Sequence, residues 1–304
     1  MGSNSPGILL LVRRLSTYRE GMGNSAGPHW MPWAERDAAA HVAVPTAVSD
    51  KYSRGVLGVV TGSSAYPGAA VLGVEAAART GIGMIRYLGD ATEPVLARRP
   101  EVVSAPGRVQ AWLIGSGTDS QDLGLLAALF SDALASAEPV IADAGALESV
   151  ALAPRRGVIV TPHFRELARM LAAGGTRVDV ADIAADPGRW AVRAANRLGV
   201  TVLLKGATTW IAEPDGPQLS VSIAPPWTAT AGAGDVLGGI LGALLATNAA
   251  TAVEPGMPAR LAASAAVIHG LAASIASRGG PITALDIAER VPDAVRRLLS
   301  SESG

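Results

Sequence analysis

A run of small residues that ends in an acid is the clearest candidate for chemistry in this sequence. It extends from Thr228 to Asp235, contains Gly232 and Gly234, and is followed from Val236 by apolar residues at helical spacing. The first N–H groups of a helix have no partner within it, and the helix dipole adds partial positive charge, so such a loop can bind an anion. Asp235 could then be the base for a hydroxyl that attacks a phosphoryl group. The alternative is structural: Asp235 caps its helix and the glycines allow close packing.

Two further glycine-rich turns, Gly62–Ala70 and Gly115–Gly117, each follow a segment that reads as a buried strand. A turn at the carboxyl end of a parallel strand is a common place for ligand contact. Neither turn has the glycine spacing of the dinucleotide fingerprint or of the phosphate-binding P-loop. Each is therefore either a ligand-facing turn or an ordinary connection between a strand and a helix.

A single histidine also follows a predicted strand. In the segment Thr161–Glu166, Thr161 and Pro162 suit the start of a helix, but they do not explain His163. Metal binding is disfavoured, because no second His or Cys lies at ligand spacing. We interpret His163 as a candidate substrate contact.

Charged residues close two other predicted strands. The segment Lys205–Thr209 combines a cation with hydroxyl groups and could face a nucleotide, although a plain hairpin loop would look the same. Asp143 is either a helix cap or a site carboxylate. His269, within a long apolar helical pattern, is interpreted as a packed or interfacial residue rather than a ligand.

These residues lie between short apolar runs and Ala-rich helical patterns that alternate along the chain, which is typical of stacked βα units. Predicted strands cover 56–60, 84–88, 111–114, 140–142, 158–160 and 200–204, with a closing hairpin over 208–212 and 219–223. Predicted helices cover 69–80, 122–137, 164–172, 189–198, 235–246, 260–277 and 286–299. Several strands are apolar throughout, as in a parallel sheet covered on both faces. The predicted fold is α/β: a three-layer α/β/α sandwich with a mostly parallel central sheet.

Residues 1–49 lack sustained periodicity apart from a short helical stretch over 33–42, and we interpret them as a partly flexible N-terminal extension. Residues 50–304 then form one domain.

The composition excludes several classes of function. The chain has 304 residues, a formal net charge of −1 and no cysteine. A balanced charge argues against nucleic acid as a partner, and the absence of cysteine excludes thiol catalysis and fits a reducing cytoplasm. The longest continuous apolar run, Val236–Ala246, is too short to cross a membrane and contains three glycines. We expect a cytoplasmic protein that does not interact with membranes.

The ordered set of motifs resembles the ADP- or ATP-dependent NAD(P)H-hydrate dehydratases of the ribokinase-like superfamily. The motifs are Lys51–Gly55, Gly62–Ala70, Gly115–Gly117, Thr161–His163, Lys205–Thr209 and Gly232–Asp235, and the resemblance extends from about Lys51 to Leu299. It implies a ribokinase-like fold. It also implies that Ala69, Ala70, Gly117, His163 and Asp235 contact the substrate, with Asp235 catalytic. Lys205, Gly206, Ala207, Thr208, Thr209, Gly232, Ala233 and Gly234 would bind the nucleotide.

The implied reaction removes water from the S-epimer of hydrated NADH or NADPH, with ADP or ATP as co-substrate and Mg2+ as cofactor, and the implied assembly is a homo-oligomer. The alternatives are a ribokinase-like kinase for a vitamin precursor or a sugar, and an inactive nucleotide-binding protein. Two departures stand out. Relatives often have a second Asp where this chain has Gly145. Many also have a Gly-Gly-[Ser/Thr]-Gly-Asp loop where this chain has Ala231-Gly232-Ala233-Gly234-Asp235, so one glycine and one hydroxyl are lost. Ala233 therefore removes a hydroxyl that could contact phosphate.

Overall fold

The computed structural model describes residues 30–118, 124, 126–152 and 157–300. Within these residues, nine strands form one sheet in the order β1-β9-β8-β7-β6-β5-β4-β2-β3. Their bounds are β1 Met31–Pro32, β2 Val56–Val60, β3 Met84–Tyr87, β4 Ala111–Ile114, β5 Val140–Ala142, β6 Val158–Val160, β7 Thr201–Leu204, β8 Thr209–Ala212 and β9 Gln218–Val221. Only the β7–β8 and β8–β9 pairs are antiparallel. The mostly parallel sheet with a closing hairpin is therefore confirmed.

Helices cover both faces of this sheet. They are α1 Glu35–Ala39, α2 Pro67–Thr80, α3 Thr92–Arg98, α4 Leu126–Ala135, α5 Leu147–Leu152, α6 Phe164–Ala173, α7 Val180–Ala185, α8 Pro187–Leu198, α9 Ala233–Thr247, α10 Met257–Ser277 and α11 Ala284–Ser300. Two hydrophobic clusters lie on opposite sides of the sheet, one built with α2, α9, α10 and α11 and the other with α4 to α8. Within β7, Leu203 belongs to the first cluster and Val202 and Leu204 to the second, as the period-two geometry of a strand requires. The three-layer prediction is confirmed.

The central helices α9 and α10 are apolar on almost every side because other elements surround them. Among the described residues, one helix, Met257–Ser277, is long and apolar enough to cross a membrane by those two criteria. However, 78% of its most apolar window is buried within the protein. That burial is typical of a core helix.

The segment just before residue 49 packs on the rest of the fold. Strand β1 pairs with β9, and Trp33 donates a hydrogen bond from Nε1 to Ser264 Oγ at 3.0 Å. In α1, Glu35 pairs with Arg297 at 2.7 Å. The short helix expected over 33–42 is confirmed, whereas the strand was not foreseen. The division of the chain at residue 49 stays a prediction, and residues 1–29 lie outside the described residues.

The other predicted elements agree with the structure to within a few residues at their ends. The predicted helix over 122–137 is described only from 126, since 119–123 and 125 lie outside the described residues. The helices α3, α5 and α7 were missed. Each has only six or seven residues, which is too few for a helical period to stand out.

The carboxyl ends of the parallel strands bring the candidate residues together. Gly62 follows β2, Gly115–Gly117 follows β4, Asp143 follows β5, His163 follows β6 and Lys205 follows β7. Parallel strands end at the same edge of a sheet, so all five segments share one edge, where ligands of open α/β sheets bind.

Candidate active site

Helix α9 starts directly at the end of the small-residue run. Its N-cap, Gly232, has φ +88°, a left-handed conformation, and a Cβ there would lie 2.5 Å from Leu72 Cδ1. Ala233, Gly234 and Asp235 form the first turn, where N–H groups have no acceptor within the helix. Ala233 N donates outside the helix to Thr230 O at 3.4 Å. A helix start of this kind can bind an anion, and the anion site stays a prediction.

The carboxylate of Asp235 does not cap its own helix. Its Oδ1 accepts a hydrogen bond from Ser116 Oγ, in the turn after β4. Burial raises the pKa of Asp235, and the negative charge of Asp143 raises it further, whereas the Ser116 hydrogen bond and the charge of Lys205 lower it. The net pKa lies above the usual value for Asp, which makes this carboxylate a stronger base than one in water.

Lys205 lies between Asp143, Glu166 and the first turn of α9. Its Nζ donates to Asp143 Oδ1 at 3.0 Å and lies 3.7 Å from Glu166 Oε2. A Cβ added to Gly234 would lie only 3.4 Å from Nζ, which places the ammonium group beside the anion-binding turn. Burial alone would lower the pKa of Lys205, but the charges of Asp143 and Glu166 outweigh burial and raise the pKa. Lys205 therefore stays a cation beside the first turn of α9.

Thr161 contacts the same carboxylate that pairs with Lys205. Its Oγ1 donates to Asp143 Oδ1 at 2.8 Å, so one carboxylate oxygen accepts from both Thr161 and Lys205. Asp143 is 5% exposed and Thr161 2%. This buried arrangement favours the interpretation of Asp143 as a site carboxylate over that of a helix cap, since it makes no side-chain cap hydrogen bond.

The two other glycine-rich turns meet beside Asp235. Gly62 N donates to Ser116 O at 2.7 Å, and a Cβ on Gly117 would lie 2.4 Å from Ala69 Cβ. Gly117 also has φ +67°. Ala69 and Gly117 are thus neighbours, whereas the side chain of Ala70 is fully buried beneath Gly62 and has no exposed surface for a ligand.

His163 is the N-cap of α6, and half of its side chain is exposed. A parallel bridge joins it to Lys205, since Lys205 N donates to Pro162 O at 2.8 Å. The substrate candidate and the nucleotide candidate therefore lie side by side.

The rest of the candidate nucleotide loop joins β7 to β8. Gly206 and Ala207 are exposed, and Thr208 Oγ1 is hydrogen-bonded to Ser222 Oγ at 2.8 Å. Thr209 is the first residue of β8. The loop lies at the edge that carries the other candidates.

Comparison with known proteins identifies the family. The NAD(P)H-hydrate dehydratase family model matches residues 57–292. The chain belongs to the NAD(P)H-hydrate dehydratase family.

Individual members of this dehydratase family show how far the likeness extends. The chain is 44% identical over 225 residues to the bifunctional NAD(P)H-hydrate repair enzyme of Mycobacterium tuberculosis, covering 70% of this chain and 45% of that protein. The chain spans about half the length of the bifunctional curated relatives that it matches. It is 34% identical over 271 residues to an ADP-dependent (S)-NAD(P)H-hydrate dehydratase of Neisseria meningitidis, covering 82% of this chain and 86% of that one.

A solved structure confirms the fold class. The ADP/ATP-dependent NAD(P)H-hydrate dehydratase of Bacillus subtilis, co-crystallized with ATP and Mg2+, superposes with a TM-score of 0.76 at 26% identity. The likeness covers 89% of this chain and 99% of that one.

The structure gives a physical reason for one departure from the dehydratase pattern. A Cβ at Gly145 would lie 2.4 Å from Thr118 Oγ1 and 2.6 Å from Thr118 O. The backbone of this chain therefore has no room for a second aspartate at Gly145. Asp143 alone supplies the acid of this turn.

Sequence reasoning missed two side chains that support the candidate residues. Ser116 was noted only as part of a glycine-rich turn, and Glu166 only as the end of the His163 segment. A glutamate three residues after a helix start is a capping-box signal that could have singled out Glu166. Nothing local marks Ser116 as the partner of an acid 119 residues away.

Proposed function

We propose that this chain dehydrates the S-epimer of hydrated NADH or NADPH back to the reduced cofactor, with ADP or ATP as co-substrate. One observation carries the proposal: Asp235 combines a raised pKa with a place in the first turn of α9, beside the cation of Lys205. A base and an anion site at one point suit the transfer of a phosphoryl group to a hydroxyl. Membership in the dehydratase family supports the choice of hydroxyl.

The ring hydroxyl of the hydrate is a poor leaving group, and phosphorylation improves it. Asp235 accepts the hydroxyl proton while the hydroxyl oxygen bonds to the terminal phosphorus of the nucleotide and the bond from phosphorus to the bridging oxygen breaks. The N–H groups of Gly232–Gly234 and the charge of Lys205 stabilise the transferring group. The lone pair of the ring nitrogen then expels phosphate, and a proton leaves the neighbouring ring carbon. ATP thus yields ADP and phosphate, and ADP yields AMP and phosphate.

The substrate and the nucleotide occupy adjoining parts of this site. The half-buried Ala69 and Gly117 and the exposed His163 receive the hydrated ring and its dinucleotide. The nucleotide lies along Lys205–Thr209, with its terminal phosphate at the first turn of α9. Asp235 contacts Ser116, the neighbour of Gly117, and lies in the helix turn beside Lys205, so it adjoins both parts of the site.

The donor set also fits magnesium, a cation that prefers oxygen ligands and often keeps several waters. Among the described residues, no group of three or more His, Cys, Asp or Glu could hold a metal by itself. Asp143 would therefore hold Mg2+ together with nucleotide phosphates and water, while the carboxylate of Asp235 stays available for the hydroxyl proton. When bound, Mg2+ neutralises phosphate charge. The cytoplasmic location and the homo-oligomer stay predictions.

One assay tests the proposal. The protein is incubated with hydrated NADH, Mg2+ and either ADP or ATP, and the absorbance of the reduced ring is followed together with phosphate release. We expect both signals to rise in equal amounts. A stable phosphoester would instead indicate a small-molecule kinase, and nucleotide binding without phosphate release would indicate an inactive binding protein. Either result overturns the proposal.

A further inference from the structure

The side chain of His163 takes the place of the usual small polar cap of helix α6. Its Nδ1 accepts hydrogen bonds from the backbone N–H groups of Arg165 at 3.1 Å and Glu166 at 3.2 Å. A ring nitrogen that accepts hydrogen bonds carries no proton, so the proton of the neutral ring is on Nε2. His163 therefore has one outward group, an Nε2–H donor.

The side chain of Glu166 in turn accepts a hydrogen bond from the backbone of His163. Its Oε2 accepts the backbone N–H of His163 at 2.7 Å, which completes a reciprocal capping box. Its Oε1 lies 3.6 Å from His163 Nε2, beyond hydrogen-bond range, so Nε2–H remains available to another acceptor. Negative charge near Nε2 also favours a proton on that nitrogen rather than on Nδ1.

The same carboxylate reaches the nucleotide end of the site. Glu166 Oε2 lies 3.7 Å from Lys205 Nζ, and Glu166 is only 9% exposed. One buried residue thus contacts the substrate candidate and supplies charge to the cation at the first turn of α9. Among the described residues, Asp143 is the other acid within ion-pair distance of Lys205, and it has no such link to His163.

We propose that Glu166 is a positioning residue that fixes His163 as an Nε2–H donor toward an oxygen of the substrate, such as a phosphate or carboxamide oxygen, while it helps to hold Lys205. The substrate part of this inference rests on the proposed function. Glu166 itself acts only through His163 and Lys205.

A spectroscopic experiment tests the link without any substrate. The 15N shifts of the four histidine rings are recorded at about pH 8, above the usual imidazole pKa, and the His163→Asn variant assigns the signal. We expect an acceptor-type Nδ1 and a protonated Nε2 in the wild type. Glu166→Ala should move both shifts toward those of free imidazole, and Glu166→Gln, whose amide oxygen can still accept the His163 N–H, should restore most of the difference.

A matched control removes a helix cap elsewhere. Asp186 caps α8 by accepting from Arg189 N at 3.1 Å. Asp186→Ala should leave the His163 shifts unchanged. The positioning role of Glu166 is overturned if Glu166→Ala leaves the shifts unchanged too, or if Asp186→Ala moves them equally.

Kinetics then test whether Glu166 acts on the substrate through His163. Asn is a good N-cap, so His163→Asn retains the helix start and removes the outward donor. We expect Glu166→Ala and His163→Asn each to raise KM for hydrated NADH about tenfold, which corresponds to about 1.4 kcal/mol. In KM for hydrated NADH the double variant should be no worse than His163→Asn, since both changes remove one contact with the hydrate and the Lys205 contact of Glu166 bears on the nucleotide. Losses that multiply in the double variant would show that Glu166 acts independently of His163.

The kinetic and the 15N experiments can contradict the two proposals independently of each other. If the wild type does not turn over hydrated NADH, the proposed function is wrong, and the 15N shifts still decide the link between Glu166 and His163. If turnover is normal and Glu166→Ala leaves the shifts unchanged, the positioning role is wrong and the proposed function stands.

Discussion

Ser116 Oγ donates a hydrogen bond to Asp235 Oδ1 and so joins the turn after β4 to the first turn of α9. The carbonyl oxygen of Ser116 also accepts a hydrogen bond from the backbone N–H of Gly62. Ser116 is 3% exposed, so this hydrogen bond forms in a place shielded from water, where it is stronger than at the surface. It orients the carboxylate and limits how far burial raises its pKa.

Removing this hydroxyl should change the pH dependence of turnover. Ser116→Ala removes a hydrogen bond that lowers the pKa of Asp235, so that pKa should rise further above its usual value. A base must be ionised to accept a proton, so the acid limb of kcat should move to higher pH. The pH profile of kcat measures this shift.

A distant serine provides the control. Ser136 donates to Ala133 O at 2.8 Å at the end of α4, and Ser136→Ala should leave the profile unchanged. An acid limb that stays in place or moves to lower pH in Ser116→Ala would remove Asp235 as the titrating base.

Replacing the acid itself should separate function from stability. Asp235→Asn removes the base, and we expect kcat to fall by at least about a hundredfold. The raised pKa means that the fold favours protonated Asp235: its contribution to stability is present below the unfolded pKa and is lost as pH rises through the folded pKa. Near pH 7 the ionised group therefore costs stability, and Asp235→Asn should stabilise the protein by on the order of 1 kcal/mol.

Urea unfolding at several pH values checks both parts of this prediction. The advantage of Asp235→Asn over the wild type should shrink as pH falls through the raised pKa of Asp235. An Asn variant that is less stable near neutral pH would show that the charge of Asp235 supports the fold rather than strains it.

Adding one methyl group at the first turn of α9 should weaken nucleotide binding. A Cβ on Gly234 would lie 3.4 Å from Lys205 Nζ, an ordinary contact with protein, so its cost falls on a phosphate bound beside that cation. Gly234→Ala should therefore raise KM for ATP about tenfold, or about 1.4 kcal/mol, with less effect on KM for the hydrate. Gly280→Ala is the control, because its Cβ would make only an ordinary contact of 3.5 Å with Ser277 O. If Gly234→Ala and Gly280→Ala have the same KM for ATP, the nucleotide phosphate does not bind at the first turn of α9.

The helix start and the strands that form the site could be predicted from the sequence, because residues adjacent in the sequence determine them. Glycine, an acid and a helical pattern in succession predicted the start of α9, and apolar runs predicted the parallel strands. The connections between distant segments could not be predicted, since the pairing of Ser116 with Asp235 and of Lys205 with Asp143 depends on which strand ends adjoin in the sheet. The left-handed φ of +44° at Ala144 also has no local signal, because alanine seldom adopts that conformation.

Helix α2, which carries Ala69, is held in place by a buried acid that sequence reasoning did not consider. The carboxylate of Glu75 is fully buried and accepts hydrogen bonds from Arg79, Arg98 and Arg99, the shortest at 2.5 Å. Burial would raise the pKa of Glu75, but the hydrogen bonds from Arg99, Arg79 and Arg98 outweigh burial and lower it to about 2. Glu75 thus joins α2 to the end of α3.

Neutralising Glu75 should destabilise the protein, because three guanidinium groups lose their shared counter-charge. We expect Glu75→Gln to lose about 3 kcal/mol of unfolding free energy near pH 7, as for other broken buried ion pairs. Glu289, which is 45% exposed and pairs with Arg98, is the matched control, and Glu289→Gln should cost less than about 1 kcal/mol. Because the folded pKa is depressed from 4.5 to about 2, the contribution of Glu75 is present above pH 4.5 and is lost as pH falls toward 2. Urea unfolding should therefore show that the loss of unfolding free energy in Glu75→Gln is constant down to about pH 4.5 and shrinks below it. A loss equal to that of Glu289→Gln would mean that the three arginines are stable without the charge of Glu75.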